Sequence, residues 1–450
     1  MRKKLALIIA LVMVFGVVAA CATDSGGGDA PVPEPTPATP TPAEVPELPE
    51  DVPDDPTQIS AELTMWTGTW NDGKMEELLA IFNETYPNIH VNFEYGPWDG
   101  MEDRYFAAMR AGVIPDVIDI AIAWTIPFAK MGHLLPVDEF AARHGVDLQG
   151  TYFEGGLMSA YVDGLHYALP YRTEVGSIFM NLDLFEQAGL DPNSPPTTWD
   201  EMIEYGRAIQ ALGGGIHGFG LAGHGVGNTT FQVYSLWFSN GVDILNEDHT
   251  AAAFNTPAGV EVLEFWVNEL ATIAPPNALE NDNTANRNLF AQGLLGMYLS
   301  GPFDLDPIRE ANPDLNKGFA LFPAFSPDHP PRVQQGGWNI AMTTNVTGER
   351  ADAAFLWISF LASAEISVIF SDTLSAVRAA ADDPAYDDPD LEIFLEALAL
   401  GRPVPGNIAM NAITAALYSE FQAVLAGIKT PQEALDDAEA RVNELLETFQ

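Results

Sequence analysis

The chemistry-bearing residues of the sequence form none of the common catalytic motifs. There is no Gly-x-Ser-x-Gly elbow, no His-Glu-x-x-His pair and no phosphate-binding loop that ends in Gly-Lys-Ser/Thr. Residues 218–223 (GFGLAG) have the spacing of a dinucleotide-binding turn, but they follow a run of glycines rather than a strand. We interpret them as a glycine-rich strand and turn, and we expect no cofactor.

Metal ligands and catalytic carboxylates are not singled out either. His217 and His224 are the closest histidine pair and have no third ligand at metal spacing. The acidic residues 382–390 favour a solvated loop over a calcium site, because the usual Asp-x-Asp-x-Asp-Gly spacing is absent. A catalytic carboxylate pair could be present among 63 acidic residues, but no pattern points to one. We therefore expect a protein that is not an enzyme and holds no metal.

Aromatic residues beside turns are the most suggestive feature. Trp70, Trp98 and Trp124 follow or adjoin predicted strand ends, while Phe303 and Trp338 follow Gly-Pro and Gly-Gly. The carboxyl ends of parallel strands are where α/β folds bind ligands. An aromatic face next to polar groups suits a sugar, whose C–H face stacks on the ring while its hydroxyls bind amides and carboxylates. The alternative is that each ring only covers a junction between loop and core.

The surrounding pattern predicts an α/β fold. An apolar strand at 62–66, an amphipathic helix with Met75, Leu78 and Phe82 on one face, and an alternating strand at 89–93 form a βαβ start. A third strand is expected near 117–122. Thr198 with Glu201, and Thr430 with Glu433, have the spacing of helix capping boxes.

Three further helix and core predictions come from short patterns. Thr256-Pro257 is expected to open another helix, residues 355–361 to form a buried helix, and Trp266 and Trp357 to lie in the core.

Charge and length exclude several classes of protein. The chain has 450 residues and a formal charge of −44, from 19 Lys and Arg against 63 Asp and Glu. That charge argues against nucleic acid or an anionic membrane surface as a partner. The length favours two domains, and a single cysteine excludes an intrachain disulfide.

The N-terminus has the features of an export signal and an anchor. Arg2, Lys3 and Lys4 precede an apolar run at 5–18, and the chain then reads Val-Ala-Ala-Cys at 18–21. We predict a lipoprotein signal peptide over 1–21 with lipidation of Cys21, which would place the protein on the outer face of a membrane. Plain secretory cleavage is the alternative. Residues 22–60 are rich in Pro and acids, which predicts a disordered stalk.

Five segments, in the same order along the chain, resemble family 1 of the bacterial extracellular solute-binding proteins, the substrate-binding lipoproteins of ABC sugar importers. The resemblance covers about residues 61–450. The segments are YALPYRTE at 167–174 with FMNLDLF at 179–185, PPTTWDE at 195–201, FAQG at 290–293 with GPF at 301–303, GGWNIA at 336–341 and GIKTPQEAL at 427–435.

The resemblance implies a two-lobe, periplasmic-binding-protein-like (type II) α/β fold with a hinge between the lobes. Lobe 1 would comprise residues 61–172 plus 305–375, and lobe 2 residues 176–300 plus 380–450. Glu174 falls at the hinge position, and Phe303 replaces a tryptophan that often stacks on sugar. Ile413 and Thr414 stand where maltose-binding relatives offer a stacking aromatic, which weakens the case for maltose itself.

The expected ligand-binding residues combine the loop aromatics with polar residues of these segments. They are Trp70, Asn71, Trp98, Trp124, Tyr171, Arg172, Glu174, Asn228, Phe231, Phe303, Asp304, Trp338 and Arg402.

The function that the resemblance implies is capture of a sugar or oligosaccharide by a monomer that delivers it to ABC permease subunits. One alternative keeps the importer role with a glycerol-phosphate ester, polyol, polyamine or peptide as ligand. A surface enzyme acting on carbohydrate is a further alternative.

Overall fold

The computed structural model describes Pro53 and residues 55–98, 100–325, 329–371 and 373–449. The predicted signal peptide, Cys21 and the proline-rich segment up to residue 52 lie outside the described residues. The predicted stalk ends sooner than expected, because Pro56–Gln58 forms a 3-10 turn and Ile59 is only 1% exposed. The folded body therefore begins before residue 61.

Thirteen strands are present in the described part of the chain. They are β1 Ala61–Gly68, β2 Ile89–Gly96, β3 Val117–Ala121, β4 Tyr161–Val162, β5 Leu165–His166, β6 Leu169–Val175, β7 Ser177–Asn181, β8 His217–Gly220, β9 Leu295–Ser300, β10 Lys317–Ala320, β11 Val333–Met342, β12 Leu374–Ser375 and β13 Gly401–Pro403.

The strands form two main sheets. Seven strands have the order β12-β6-β11-β3-β1-β2, with β13 added beside β11, and β1 is parallel to both β2 and β3. The second sheet has the order β10-β7-β9-β8, and a small hairpin joins β4 to β5. The βαβ start predicted from the sequence is therefore confirmed.

Seventeen α-helices cover the described sheets. They are α1 Lys74–Asn83, α2 Met101–Ala111, α3 Ile122–Lys130, α4 Asp138–Arg143, α5 Leu148–Thr151, α6 Glu154–Met158, α7 Leu182–Gln187, α8 Trp199–Gln210, α9 Val226–Ser239, α10 Pro257–Asn268, α11 Asn283–Ala291, α12 Leu305–Ala311, α13 Glu349–Leu361, α14 Ala364–Ser371, α15 Glu392–Ala397, α16 Met410–Leu425 and α17 Pro431–Thr448. Within the described ranges no single helix is long and apolar enough to cross a membrane; α13 and α14, bent by 75°, reach that length and composition only together.

The predicted helix starts are confirmed. Thr198 and Glu201 form a complete capping box at α8, as do Thr430 and Glu433 at α17. Thr256 caps α10, with Pro257 in its first turn. Each cap satisfies backbone N–H groups that the helix itself leaves unpaired, and contributes about 1 kcal/mol.

Each main sheet has its own hydrophobic core, and we call the two bodies the first lobe (seven strands) and the second lobe (four strands). Trp357 and Phe355 of the buried helix α13 lie in the first core, while Trp237 and Trp266 lie in the second. The two-lobe α/β fold expected from the sequence is thus the observed one.

The first lobe begins its second segment later than the sequence suggested. Leu305 and Ile308 of α12 pack in the second core, and β10 pairs antiparallel with β7 of the second sheet. The chain returns to the first sheet only with β11. The expected boundary at 305 is therefore wrong, because a strand and a helix are added to the edge of the second lobe first. The other lobe boundaries stay predictions.

Candidate functional site

Four tryptophans from separate elements of the first lobe meet in one group, which we call the tryptophan cluster. Trp70 lies in a 3-10 turn after β1, Trp98 follows β2, Trp124 lies in the first turn of α3, and Trp338 lies in β11 opposite the last residue of β3. Because β1, β2 and β3 are parallel neighbours, the residues that follow them emerge at one edge of the sheet.

Trp338 contacts each of the other three rings of the tryptophan cluster. Trp338 lies 5.1 Å from Trp70, 5.6 Å from Trp98 and 6.1 Å from Trp124, measured between ring centroids, with its plane steeply inclined to each. Trp98 stacks on Trp124 at 5.7 Å with an interplanar angle of 10°. Trp124 and Trp338 are 4% and 6% exposed, whereas Trp98 is 39% exposed. The cluster is therefore anchored in the core and open at Trp98.

Trp98 also reaches the second lobe. A Cβ atom added to Gly227, in the first turn of α9, would lie 2.7 Å from the Trp98 ring. Only a residue without a side chain leaves room for that approach. The tryptophan cluster consequently faces the space between the lobes, and α9 forms the opposite wall.

Two more expected residues of that wall lie on α9. Phe231 is half-buried, and its ring would lie 2.9 Å from a Cβ atom at Gly176, the single residue between β6 and β7. Asn228 is half-buried near the start of the helix. Since the chain passes from the first sheet to the second at Gly176, Phe231 packs against the hinge.

A buried carboxyl organises the polar side of the tryptophan cluster. Asp119 on β3 accepts hydrogen bonds from Tyr171 at 2.9 Å and from Thr67 at 2.9 Å, and Asn71 donates to Thr67 at 2.8 Å. Burial raises the pKa of Asp119 to about 7, although its hydrogen bonds oppose the change. This network fixes two of the expected site residues, Tyr171 and Asn71.

A second carboxyl, which is half-buried, lies on the crossing strand β6. Glu174 forms an ion pair with Arg172, and the indole N–H of Trp338 is within its hydrogen-bonding reach. Burial raises the pKa of Glu174, while the Arg172 charge acts in the opposite direction. The pair therefore brings a charge-balanced polar surface next to the indole of Trp338.

Two polar atoms beside the tryptophan cluster have no hydrogen-bond partner among the described residues. They are Nε1 of Trp70 and Oδ1 of Asn71. Buried donors and acceptors are normally paired with protein or water. Both atoms are buried in this conformation, so a polar ligand could bind them only if the side chains around them move apart.

Three expected site residues, Asp304, Arg402 and Phe303, have their recorded contacts away from the tryptophan cluster. Asp304 accepts hydrogen bonds from Arg287, Tyr298 and Ser300 inside the second lobe. Arg402 pairs with Asp243 and lies over Phe238.

Phe303 is half-buried beside Gly301. The place of these three residues in a ligand site stays a prediction without support from the geometry.

One cleft residue escaped the sequence analysis. Glu102, in the first turn of α2, lies within hydrogen-bonding reach of the Trp124 indole N–H, and burial raises its pKa to about 7. No spacing marks it among 63 acidic residues. Only the folded structure shows that it is half-buried.

The glycine-rich segment at 218–223 has a structural role, as expected. Its first residues form β8, and a Cβ atom at Gly218 would collide with the backbone of Gly206 in α8. Glycine therefore allows the helix to pack directly on the strand. Among the described residues, no group of three or more His, Cys, Asp or Glu side chains is placed to hold a metal ion.

This structure has two lobes, a hinge between them and an aromatic cleft. This is the architecture of the two-lobe solute-binding proteins. The family model for the bacterial extracellular solute-binding protein matches residues 14–367. The chain belongs to this family.

Individual relatives agree with this assignment. An ABC-transporter solute-binding protein of Thermotoga lettingae, solved with α-D-tagatose, is 27% identical, with a TM-score of 0.78 over 86% of this chain and 100% of that chain. A Brucella abortus binding protein is 27% identical over 393 residues, 86% of this chain and 92% of the relative.

UgpB of Mycobacterium tuberculosis, solved with glycerophosphocholine, is 20% identical, with a TM-score of 0.76 over 86% of this chain and 99% of that chain. This last likeness concerns the fold alone. The family is one of solute-binding proteins rather than enzymes, and the Thermotoga lettingae relative is a solute-binding protein of an ABC transporter.

Proposed function

We propose that this protein captures a sugar or oligosaccharide between its lobes and delivers it unaltered to the permease of an ABC importer. The observation that carries the proposal is the tryptophan cluster, together with the unpartnered polar atoms around it. A sugar ring presents an apolar C–H face and a rim of hydroxyls, and the cleft offers a surface for each. The relative solved with tagatose is an additional reason to expect a carbohydrate.

The stack of Trp98 on Trp124 limits how a sugar can bind. Rings at 5.7 Å leave no space for a third ring between them. A sugar ring therefore stacks on the open face of Trp98, or it displaces Trp98 and takes its place on Trp124. Either arrangement changes the surroundings of Trp98, and intrinsic tryptophan fluorescence would report the change.

Ligand transfer would depend on the hinge. Contact with both lobes is possible only when they are close together, so a bound ligand shifts the open–closed equilibrium toward the closed form. The permease would recognise that form. No covalent step is required.

Isothermal titration calorimetry decides between a carbohydrate and the alternative ligands. We expect heat of binding from at least one neutral mono- or oligosaccharide, and none from glycerol 3-phosphate, glycerophosphocholine or spermidine at the same concentrations. Tight binding of a phosphate ester with no response to any saccharide would replace the sugar by that ligand and leave the importer role in place. Hydrolysis of a glycoside by the purified protein would favour the enzyme alternative.

The membrane attachment belongs to the proposal as well. Cys21, the single cysteine of the sequence, follows small residues at the end of an apolar run, which is the pattern of a lipidated cysteine. We propose that the mature monomer is anchored to the extracytoplasmic face of the cell membrane. Cys21→Ser should move the protein from the membrane fraction to the soluble fraction, whereas Ser25→Ala should not. Unchanged membrane retention of Cys21→Ser would refute the anchor.

A further inference from the structure

An arginine of the first lobe has hydrogen-bond donors that its own protein surroundings leave unsatisfied. The guanidinium of Arg104, in α2, lies over the rings of Trp66 at 5.5 Å and Tyr105 at 5.4 Å, measured to the ring centroids. Its Nε and Nη2 atoms are buried without a hydrogen-bond partner, and no carboxylate of the described residues pairs with them. Buried donors are normally paired, and a guanidinium commonly binds oxygen atoms. Arg104 is thus a cation with donor capacity to spare.

The register of two strands places this guanidinium beside the tryptophan cluster. Gly68 and Gly96, the last residues of β1 and β2, are paired in the parallel sheet. A Cβ atom at Gly68 would collide with the Trp70 ring, and one at Gly96 would collide with the Arg104 guanidinium. Paired residues of parallel strands point to the same face of a sheet. Trp70 and Arg104 therefore cover neighbouring glycines on one face, at the edge where the tryptophan cluster lies.

Tyr105 connects the guanidinium to Trp124. The Tyr105 ring lies edge to face with Trp124 at 6.1 Å. Its hydroxyl is buried without a hydrogen-bond partner, as is Nε1 of Trp70. The guanidinium and the indole can only donate hydrogen bonds, and the tyrosine hydroxyl can donate one. The unpartnered groups on this face therefore suit a ligand that offers acceptor oxygens.

We infer that Arg104 is a ligand-binding residue of the cleft, whose guanidinium donates hydrogen bonds to oxygen atoms of a neutral saccharide and excludes cationic ligands such as polyamines. The inference rests on the proposed function and narrows its substrate class. Hydrogen bonds from a charged donor are stronger than those between neutral groups. A polyamine brings ammonium donors and positive charge, and neither can pair with a guanidinium.

Carboxyls near the same face favour a neutral acceptor over a phosphate. Burial and the charge of Asp119 raise the pKa of Tyr105, whereas the charge of Arg104 lowers it, so the tyrosine hydroxyl senses both groups. Glu174 pairs with Arg172 beside Trp338. A saccharide supplies acceptor oxygens without bringing a further negative charge towards these carboxyls.

Ligand access to Arg104 requires a local movement, because Nε and Nη2 are covered in this conformation. Trp98 follows Gly96 by only two residues, and the guanidinium packs on Gly96. A sugar that displaces Trp98 from Trp124 therefore moves the chain next to the guanidinium. We expect the same displacement to uncover its donors.

Calorimetry on Arg104→Met tests the inference, with neutral saccharides and spermidine as probes. Methionine keeps an unbranched side chain over Trp66 and removes the charge and all five donors. We expect the affinity for the bound saccharide to fall about tenfold. The melting temperature should not fall, because the folded protein loses unpaired buried donors rather than hydrogen bonds. Arg110→Met, at an exposed position of the same helix, should bind as the wild type does.

A second variant covers the case in which Arg104→Met folds poorly. Arg104→Lys keeps the charge and a long side chain but replaces the planar fork of donors by a single ammonium. We expect it to bind the saccharide about threefold more weakly than the wild type.

Wild-type saccharide affinity in Arg104→Met, or in Arg104→Lys where only that variant folds, overturns the inference and leaves the proposed function standing. Binding of spermidine by the wild type, or of glycerol 3-phosphate with no response to any saccharide, rejects both.

Discussion

At the scale of single residues, Trp98 is the part of the tryptophan cluster that a ligand can reach first. One of its faces lies on Trp124, its edge meets Gly227 across the cleft, and 39% of it remains exposed. Trp98→Ala should therefore weaken saccharide binding by about 1–3 kcal/mol without lowering the thermal stability much. Trp98→Phe is the matched control, since it keeps an aromatic face and should retain most of the affinity. Calorimetry on both variants checks this, and wild-type affinity for Trp98→Ala would place the stacking surface elsewhere.

The raised pKa of Asp119 leads to a prediction about how the stability of the folded protein depends on pH. Its pKa is raised from 3.8 to about 7 in the folded protein, so the folded state holds a proton that the unfolded state has released. The free energy of unfolding should accordingly fall as the pH rises from about 4 to 7. Asp119→Asn should lessen this decline in thermal melting temperature, while Asp72→Asn, at an exposed position, should leave it unchanged. Parallel pH profiles for Asp119→Asn and wild type would contradict the assignment.

The same residues show what the sequence could reveal about the site. Tryptophans placed next to strand ends were identified because the geometry of parallel sheets gathers such positions at one edge. Asp304 and Arg402 looked equally suitable, yet each is neutralised by partners within the second lobe, which spacing alone cannot show. No spacing singles out Glu102, and only the fold shows that it is half-buried, because such burial depends on contacts between distant segments.

At the scale of elements, the first turn of α9 controls how closely the lobes approach. Gly227 leaves space for the Trp98 ring, and a methyl group there would push the ring away. Gly227→Ala should favour α9 itself by up to about 1 kcal/mol, because alanine is the better helix former, and still weaken saccharide binding. Gly155→Ala in α6 is the control, since nothing lies within 4 Å of its added Cβ atom. Thermal melting measures the effect on stability, and calorimetry measures the effect on saccharide affinity. Unchanged affinity for Gly227→Ala would show that the contact between Gly227 and Trp98 does not matter for binding.

Elements with local signals were predictable, and elements defined by their partners were not. The capping boxes at α8 and α17 need only residues three positions apart, so they could be identified from the sequence. Strand β10 has four residues and no distinct alternation, and only its pairing with β7 shows that it belongs to the second lobe.

The acidic residues 382–390 form 3-10 turns. Arg309 forms ion pairs with two carboxylates of this segment, those of Asp388 and Asp390. That pairing joins positions about 80 residues apart, which no local pattern indicates.

At the scale of the whole molecule, the strong negative charge and the local chemistry of the cleft point to the same kind of ligand. A formal charge of −44 repels anions at long range, although salt screens this effect beyond about 10 Å. The carboxyls beside the tryptophan cluster act at short range, where screening is weak. A neutral ligand therefore meets no electrostatic barrier at long or at short range.

The last prediction concerns the motion of the two lobes. Only a ligand that contacts both lobes can shift the hinge equilibrium, and the surfaces available are the tryptophan cluster on one side and α9 on the other. Small-angle X-ray scattering should show a smaller radius of gyration when a bound saccharide is saturating. The double variant Trp124→Ala/Trp338→Ala, tested at the same saccharide concentration, should keep the radius of the free protein, provided that its circular dichroism shows that it is folded. If calorimetry shows that the wild type binds the saccharide but its scattering curve does not change, the lobes do not close on the ligand. Recognition by a permease would then have to depend on another difference between the free and the bound protein.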